Sequence, residues 1–243
     1  MFKILPLETS KDKIEQPSAA DAGIIPKLCS SMLFVGSSGS GKSTLLVRLM
    51  TSEWGFKGWF DQVYLIPPTA LGDDVQSQLT VPDENIISDL SEAPKFLEEL
   101  IEDQKDLIQS DGADKAPQIC VIFDDCISDK DLMKSKSFVN CFVAARHANL
   151  TVALCTQSYT KVPRVCRLQA MHLFYFKGGR SELELLSEEY GAPRLSKREM
   201  LKMVEFCTSG KYDFFYCNRQ VDIDQRYRKN LDEIIVLDSV KER

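Results

Sequence analysis

The stretch "FVGSSGSGKSTLL", residues 34–46, restricts the fold of this chain more than any other. Gly36, Gly41, Lys42 and Ser43 stand at the Gly-x-x-x-x-Gly-Lys-Ser spacing of a phosphate-binding loop. Residues 32–35 are apolar and read as a buried strand, and 44–50 read as a helix. That context separates the motif from a Gly/Ser linker that matches by accident. Gly36, Gly39 and Gly41 free the backbone to turn its N–H groups inward toward phosphate oxygens. The helix start adds unpaired N–H groups and partial positive charge. Lys42 then reaches the β- and γ-phosphates, and the Ser43 hydroxyl is placed to ligate Mg²⁺. A chain with this segment binds a nucleoside triphosphate and builds a sheet around the strand that feeds the loop.

From Leu28 onward strand-like and helix-like stretches alternate. "MLFV" (32–35), "QVYLIP" (62–67), "QICVIF" (118–123), "LTVALCT" (150–156) and "MHLFYF" (171–176) read as strands, with "YDFFYC" (212–217) as an added one. Residues 94–110 have helical spacing, with Phe96, Leu97, Leu100, Ile101, Leu107 and Ile108 near one face. "DLMKSKSFVNCFVAARH" (131–147) reads as the next helix. "SELELLSEEYG" and "KREMLKMVEFCTSG" follow as helices, each closed by a glycine suited to a helix end. Residues 69–93 are rich in turn residues. Strands that are apolar on both faces and alternate with helices predict an α/β fold, a parallel sheet covered on two sides. Residues 1–27 are polar, carry Pro6, Pro17 and Pro26 and show no period, so they are expected to form an extended arm. Residues 28–243 then form one ATPase-sized domain, with 196–243 as a C-terminal addition.

Composition narrows the function classes. No apolar run approaches the roughly 18 residues of a membrane span, and the start, "MFKILPLETSKDKIEQ", turns polar too early for a signal peptide. The eight cysteines form no CxxC pair, and several lie within apolar runs. They are expected to pack as small hydrophobes in a reducing compartment, without a structural metal. The net charge of −6 is uneven. Residues 1–125 hold 10 Lys and Arg against 21 Asp and Glu, and residues 126–243 hold 20 against 15, giving −11 and +5. This balance argues against a passive nucleic-acid coat, for which phosphate attraction dominates. It leaves room for a motor gripping nucleic acid through a few local charges.

The third strand delivers Asp124 and Asp125 at its C-terminal end, the edge where ligands of open α/β sheets collect. Asp124 is the expected Mg²⁺ carboxylate, and Asp125 the group that polarises the attacking water. A solvated turn is the plain alternative. The fourth strand exits into Thr156 and Gln157. If that strand lies between the loop strand and the acid strand, Gln157 faces the γ-phosphate, where an amide both donates and accepts. Arg146 and His147 close the preceding helix. A cation there is favourable through the helix dipole alone, but Arg146 also suits an arginine finger acting on a neighbouring subunit's nucleotide. His147 reads as a capping or packing residue. "KVPRVCR" (161–167) presents Lys161, Arg164 and Arg167 to DNA phosphates, to an adjacent subunit or simply to solvent.

Taken together, "GSSGSGKST", "VIFDDC" and "RHANLTVALCTQSYTKVPRVCR" resemble the genome-packaging ATPases of large nucleocytoplasmic DNA viruses and their virophages, the poxvirus-type branch of the FtsK–HerA group. The likeness covers about residues 28–190 and is nearest to a virophage packaging ATPase. It implies a P-loop NTPase with a RecA-like sheet in strand order 5-1-4-3-2. It also implies a homo-oligomeric ring of five or six subunits with ATP and Mg²⁺ bound between them. Such a ring drives double-stranded DNA into a preformed capsid, with capsid or portal-vertex proteins as partners and no membrane. The host-cell cytoplasm, in a viral factory, is the implied location. By position, the resemblance assigns Gly36, Ser37, Ser38, Gly39, Ser40, Gly41, Lys42, Ser43 and Thr44 to the nucleotide loop. Asp124 becomes the metal carboxylate and Gln157 the sensor. Asp125 stands where the wider group often has Glu, one methylene longer. Arg146 is the preferred finger, with Arg164, Arg167 and Arg180 remaining open. Other readings are a P-loop nucleotide kinase, for which no Arg-rich lid is visible, a helicase-like DNA translocase, and a non-catalytic nucleotide switch.

Overall fold

The computed structural model describes residues 14–67, 78–193 and 195–237. Eight strands form one sheet: β1 (Ser31–Val35), β2 (Gln62–Ile66), β3 (Ile119–Asp124), β4 (Leu150–Thr156), β5 (His172–Tyr175), β6 (Phe215–Asn218), β7 (Tyr227–Lys229) and β8 (Glu233–Ile234). Their spatial order is β2-β3-β4-β1-β5-β6-β7-β8. The first five are parallel to one another, and β6, β7 and β8 add on antiparallel from β5 outward. The parallel part therefore has the expected order 5-1-4-3-2, with β4 between the loop strand and the acid strand.

Period-two alternation sorts each central strand onto two cores. Leu33 and Val35 of β1, Val121 and Phe123 of β3, and Val152 and Leu154 of β4 face one side. Met32 and Phe34, Cys120 and Ile122, and Ala153 and Cys155 face the other. Two short helices, α1 (Ser18–Asp21) and α2 (Lys42–Thr51), cover the second side through Ala20, Leu46 and Leu49. The first side is covered by α3 (Ala93–Asp111), α4 (Lys130–Lys134), α5 (Lys136–Ala144), α6 (Arg164–Gln169), α7 (Arg180–Tyr190) and α8 (Lys197–Cys207). Burial on both faces explains why β1, β3 and β4 read as continuous apolar runs. All eight cysteines are buried free thiols and pack as small hydrophobes.

Several expectations need correction. The arm expected over residues 1–27 is folded in its described part, 14–27: α1 and the turn after it bury Ala20 and Ile25 completely. The rest of the arm lies outside the described residues, as does part of the loop-rich stretch 69–93. The helix expected over 131–147 is broken at Ser135, whose backbone is extended and whose hydroxyl accepts from the Phe138 N–H, starting α5 afresh. The last turn, Ala145–His147, tightens to a 3-10 helix. Neither glycine expected to end a helix is left-handed. Gly191 is extended, and a Cβ there would fall 2.6 Å from the Ser187 carbonyl oxygen, so lack of space selects it. Thr208 follows α8.

Candidate nucleotide site

The loop between β1 and α2 is held at both ends by the sheet. The Gly36 N–H donates to Thr156 O (3.1 Å) at the exit of β4, and the Phe176 N–H donates to Val35 O (2.7 Å) beyond β5. These bonds fix the loop relative to the neighbouring strand exits before any side chain is considered. Gly36 is required by close approach, since a Cβ there would lie 2.6 Å from Phe176 Cβ. Gly41 caps α2 with φ +102°, a backbone state that L residues rarely adopt. Lys42 is buried, and its Nζ donates to Gly36 O (2.8 Å) and Ser37 O (3.0 Å), so the ammonium sits inside the curl of the loop. Ser43 is the next residue, in the first turn of α2.

The acids arrive from β3, two strands away. Asp124 is buried as the last residue of β3 and pairs in register with Cys155. Asp125 leaves the strand line. Its φ is +49°, in the left-handed region, and its N–H donates to Cys155 O (3.0 Å). The two neighbouring carboxylates therefore point differently. The Gln157 amide Nε2 donates to Asp125 Oδ2, which joins the expected sensor to the expected base. Burial pushes the Cys155 thiol well above its usual range; Asp124 adds to this and Lys42 opposes it. One buried thiol thus feels both the loop cation and the strand carboxylate. A serine hydroxyl and a buried carboxylate are hard oxygen donors of the kind Mg²⁺ takes, so Ser43 and Asp124 fit the metal expected of this loop.

The arginines separate sharply. Arg146 is exposed in the 3-10 turn before β4, and its Nη2 lies 3.3 Å from Met171 Sδ. It sits at the N-terminal edge of the sheet, opposite the edge carrying the loop, Asp125 and Gln157. Arg164 is exposed at the start of α6, which Pro163 begins. Arg180 is exposed and pairs with Glu184 at 3.1 Å. Arg167, by contrast, is buried. Its guanidinium forks onto Glu189 with two 2.9 Å bonds and also donates to Val162 O. The Tyr159 hydroxyl donates to the same carboxylate. Arg167 is a structural cation, which takes it out of the set of candidate fingers.

A cavity of about 540 Å³ adjoins the loop and is lined by Gly41, Thr44, Arg48, Phe176, Tyr212 and Phe214 among others. The aromatic side of this cavity is not evident from the motifs. The available signal is the Tyr212-x-Phe214 alternation ahead of the added strand.

Comparison with solved structures gives the same architecture. B204, the DNA-packaging ATPase of Sulfolobus turreted icosahedral virus, matches with a TM-score of 0.56 at 16% identity, covering 84% of this chain and 97% of B204. The genome-packaging NTPase B204 of Sulfolobus turreted icosahedral virus 2, in complex with ATP-gammaS, matches with a TM-score of 0.56 at 19% identity, covering 85% and 98%. ATPases 2 and 3 of EssC from Geobacillus thermodenitrificans match with a TM-score of 0.55 at 13% identity, covering 88% and 41%. At these identities the likeness establishes the fold. No curated protein matches the chain. The poxvirus A32 protein family model matches residues 27–235, from just before β1 to the strands beyond β5. The loop, the acid pair, the glutamine and the whole sheet fall within that match, and the chain belongs to the poxvirus A32 protein family.

Proposed function

We propose that this protein is an ATP-hydrolysing motor that moves double-stranded viral DNA into a preformed capsid. The observation that carries this reading is the split of charged groups between the two edges of one parallel sheet. Lys42, Ser43, Asp124, Asp125 and Gln157 converge at the C-terminal edge, while Arg146 stands exposed at the other. A site complete except for its transition-state cation, on a chain that carries such a cation out of its own reach, suits a ring in which neighbours complete one another. Family membership and the likeness to packaging ATPases support the same reading.

In this mechanism the loop N–H groups and Lys42 bind and orient the triphosphate of ATP. Ser43 and Asp124 would hold Mg²⁺, which would supply charge neutralisation to the triphosphate when bound. Asp125 accepts the proton of the attacking water. Gln157, already bonded to Asp125, aligns that water and registers loss of the γ-phosphate. Arg146 of the adjacent subunit meets the charge that develops in the transition state. Residues 28–243 act as one unit, within which β6, β7 and β8 extend the sheet. The ring has five or six subunits and works in the host-cell cytoplasm at the capsid vertex.

The test is ATP turnover by the full chain with Mg²⁺ at low salt, with and without duplex DNA. DNA is expected to raise turnover several-fold without sequence preference, with a steep salt dependence. Lys42→Ala is expected to lower it by about 10²–10³-fold in both conditions. Equal turnover with and without DNA would count against a motor. Phosphate transfer to an added nucleoside monophosphate would point to a kinase instead.

A further inference from the structure

Beside the phosphate loop stands an aromatic residue held in an unfavourable backbone state. Tyr212 has φ +70°, a genuine outlier for a bulky side chain, and the residue is 57% exposed. Such strain persists only where the surroundings impose it, and here they do. On one side of Tyr212, Asp213 pairs with Lys229 of β7 (3.1 Å) and accepts from the Asn230 amide (3.3 Å). Next to it, the Phe214 N–H donates to Asn230 Oδ1 (3.1 Å), and the Asn230 N–H donates back to Phe214 O (2.9 Å). The β7 turn thus clamps the two residues after Tyr212 and leaves its ring projecting. The ring comes to rest against the nucleotide loop: a Cβ on Gly41 would be 3.5 Å from Tyr212 Cδ1 and 3.6 Å from Phe176 Cε1. Phe176 and Phe214, 5.2 Å apart between centroids, form the buried floor of the same cavity. Thr44 and Arg48, one helical turn apart on α2, form the far wall.

We propose that Tyr212 is the stacking wall for the base of the bound nucleotide, and that this site takes adenine and guanine alike through their flat faces. The inference rests on the nucleotide-binding reading of the loop above. A triphosphate seated in the loop at the start of α2 leaves its nucleoside on the α2 side, where the cavity opens. The cavity offers the base a clamped aromatic face, an apolar floor and a guanidinium. Among the described residues its lining includes no Asn, Gln, Asp or Glu side chain to accept from the amino group of adenine. Stacking is tolerant of base identity because every base has a π-face, and removing one aromatic partner weakens binding by roughly 5–150-fold.

Calorimetric titration of the full chain with Mg·ATP, Mg·GTP and Mg·tripolyphosphate tests this. ATP and GTP are expected to bind within about threefold of each other. Tyr212→Asn, which suits the left-handed backbone, should raise Kd for both about tenfold and leave tripolyphosphate within about twofold of the original. Tyr212→Trp should keep both nucleotides, and its fluorescence should be quenched by ATP but not by tripolyphosphate. An unchanged Kd for ATP in Tyr212→Asn with a native unfolding midpoint would overturn the proposal. So would an equal loss for ATP and tripolyphosphate, or more than about thirtyfold preference for one purine. Lys42→Ala separates this from the underlying reading. Loss of tripolyphosphate there, with normal ATP affinity in Tyr212→Asn, sinks only the base wall; full affinity for all three ligands in Lys42→Ala sinks the loop assignment itself.

Discussion

The two edges of the parallel sheet are built to opposite plans. At the C-terminal edge the backbone is repeatedly forced into left-handed turns, at Gly39, Gly41 and Asp125, and polar side chains from the exits of β3 and β4 meet. At the N-terminal edge the polar groups are tied off individually. Asn149 donates to Ala113 O and Ala116 O, and His172 is enclosed by Tyr216 and Gln220. Arg146 and its neighbour His147 stand exposed there. Six residue steps along β4, at about 3.3 Å each, separate the edges by roughly 20 Å, more than an arginine side chain spans. The contrast teaches that Arg146 cannot reach the phosphate loop of its own chain, as the trans-acting role proposed for it requires.

The sharpest way to break this comparison is Arg146→Ala. ATP affinity should stay within about twofold, while steady-state hydrolysis by the full chain falls by about 10³-fold or more. Co-assembly of Arg146→Ala with Asp125→Asn should recover activity that neither has alone, since some interfaces then join an intact Asp125 to an intact Arg146. Full activity in Arg146→Ala alone would leave the N-terminal edge without a catalytic role.

Arg167 sharpens the distinction between a cation that serves the fold and one that is free. Arg167→Ala leaves the Glu189 carboxylate buried without its partner, and should lower unfolding free energy by about 3 kcal/mol, read from the urea midpoint. Arg164→Ala, three residues earlier but exposed, should change it by no more than about 0.5 kcal/mol.

A further effect concerns acid. Burial lowers the His172 pKa from 6.5 to about 3; the Gln220 hydrogen bond opposes the shift, and Arg146 adds to it. The neutral ring fits its partners, accepting from the Tyr216 hydroxyl and donating to Gln220 Oε1. The unfolded chain binds a proton below pH 6.5 that the folded chain refuses until about 3. His172 therefore contributes full stability above about 6.5 and loses it as pH falls through that window, by at most about 1.4 kcal/mol per pH unit. Urea midpoints of the original chain and His172→Gln, compared from pH 7 to pH 5, should show the shallower slope in the variant.

Motifs in which local spacing carries the chemistry were legible in the sequence. Gly36 to Ser43 lie within one turn and one helix start, so their geometry follows from the chain itself. Asp124 and Asp125 were readable as strand-end acids. The link from Gln157 to Asp125 needed the strand order as well, which came from resemblance and not from periodicity. Arg167 was not legible, because its partner Glu189 lies 22 residues away on α7, and Pro163 resets the helical phase just before it. The break at Ser135 was hidden by apolar spacing that continues across it. Tyr212 escaped notice because its place depends on β6 joining β5 in antiparallel register and on the β7 turn that clamps Asp213.

The central position of β1 sets a timetable. β1 spans residues 31–35, yet its hydrogen-bonded neighbours are β4 at 150–156 and β5 at 172–175. On a ribosome, the first strand emerges and must wait for more than a hundred further residues before either flank exists. Such sequence-distant pairing is slow to form and leaves apolar surface uncovered meanwhile. β2 and β3 can pair earlier but have no inner neighbour until β4 appears. The phosphate loop, whose ends are held by the Thr156 carbonyl of β4 and by the Phe176 N–H just beyond β5, therefore acquires its form only after residue 176 has emerged, so nucleotide cannot assist the nascent chain before then.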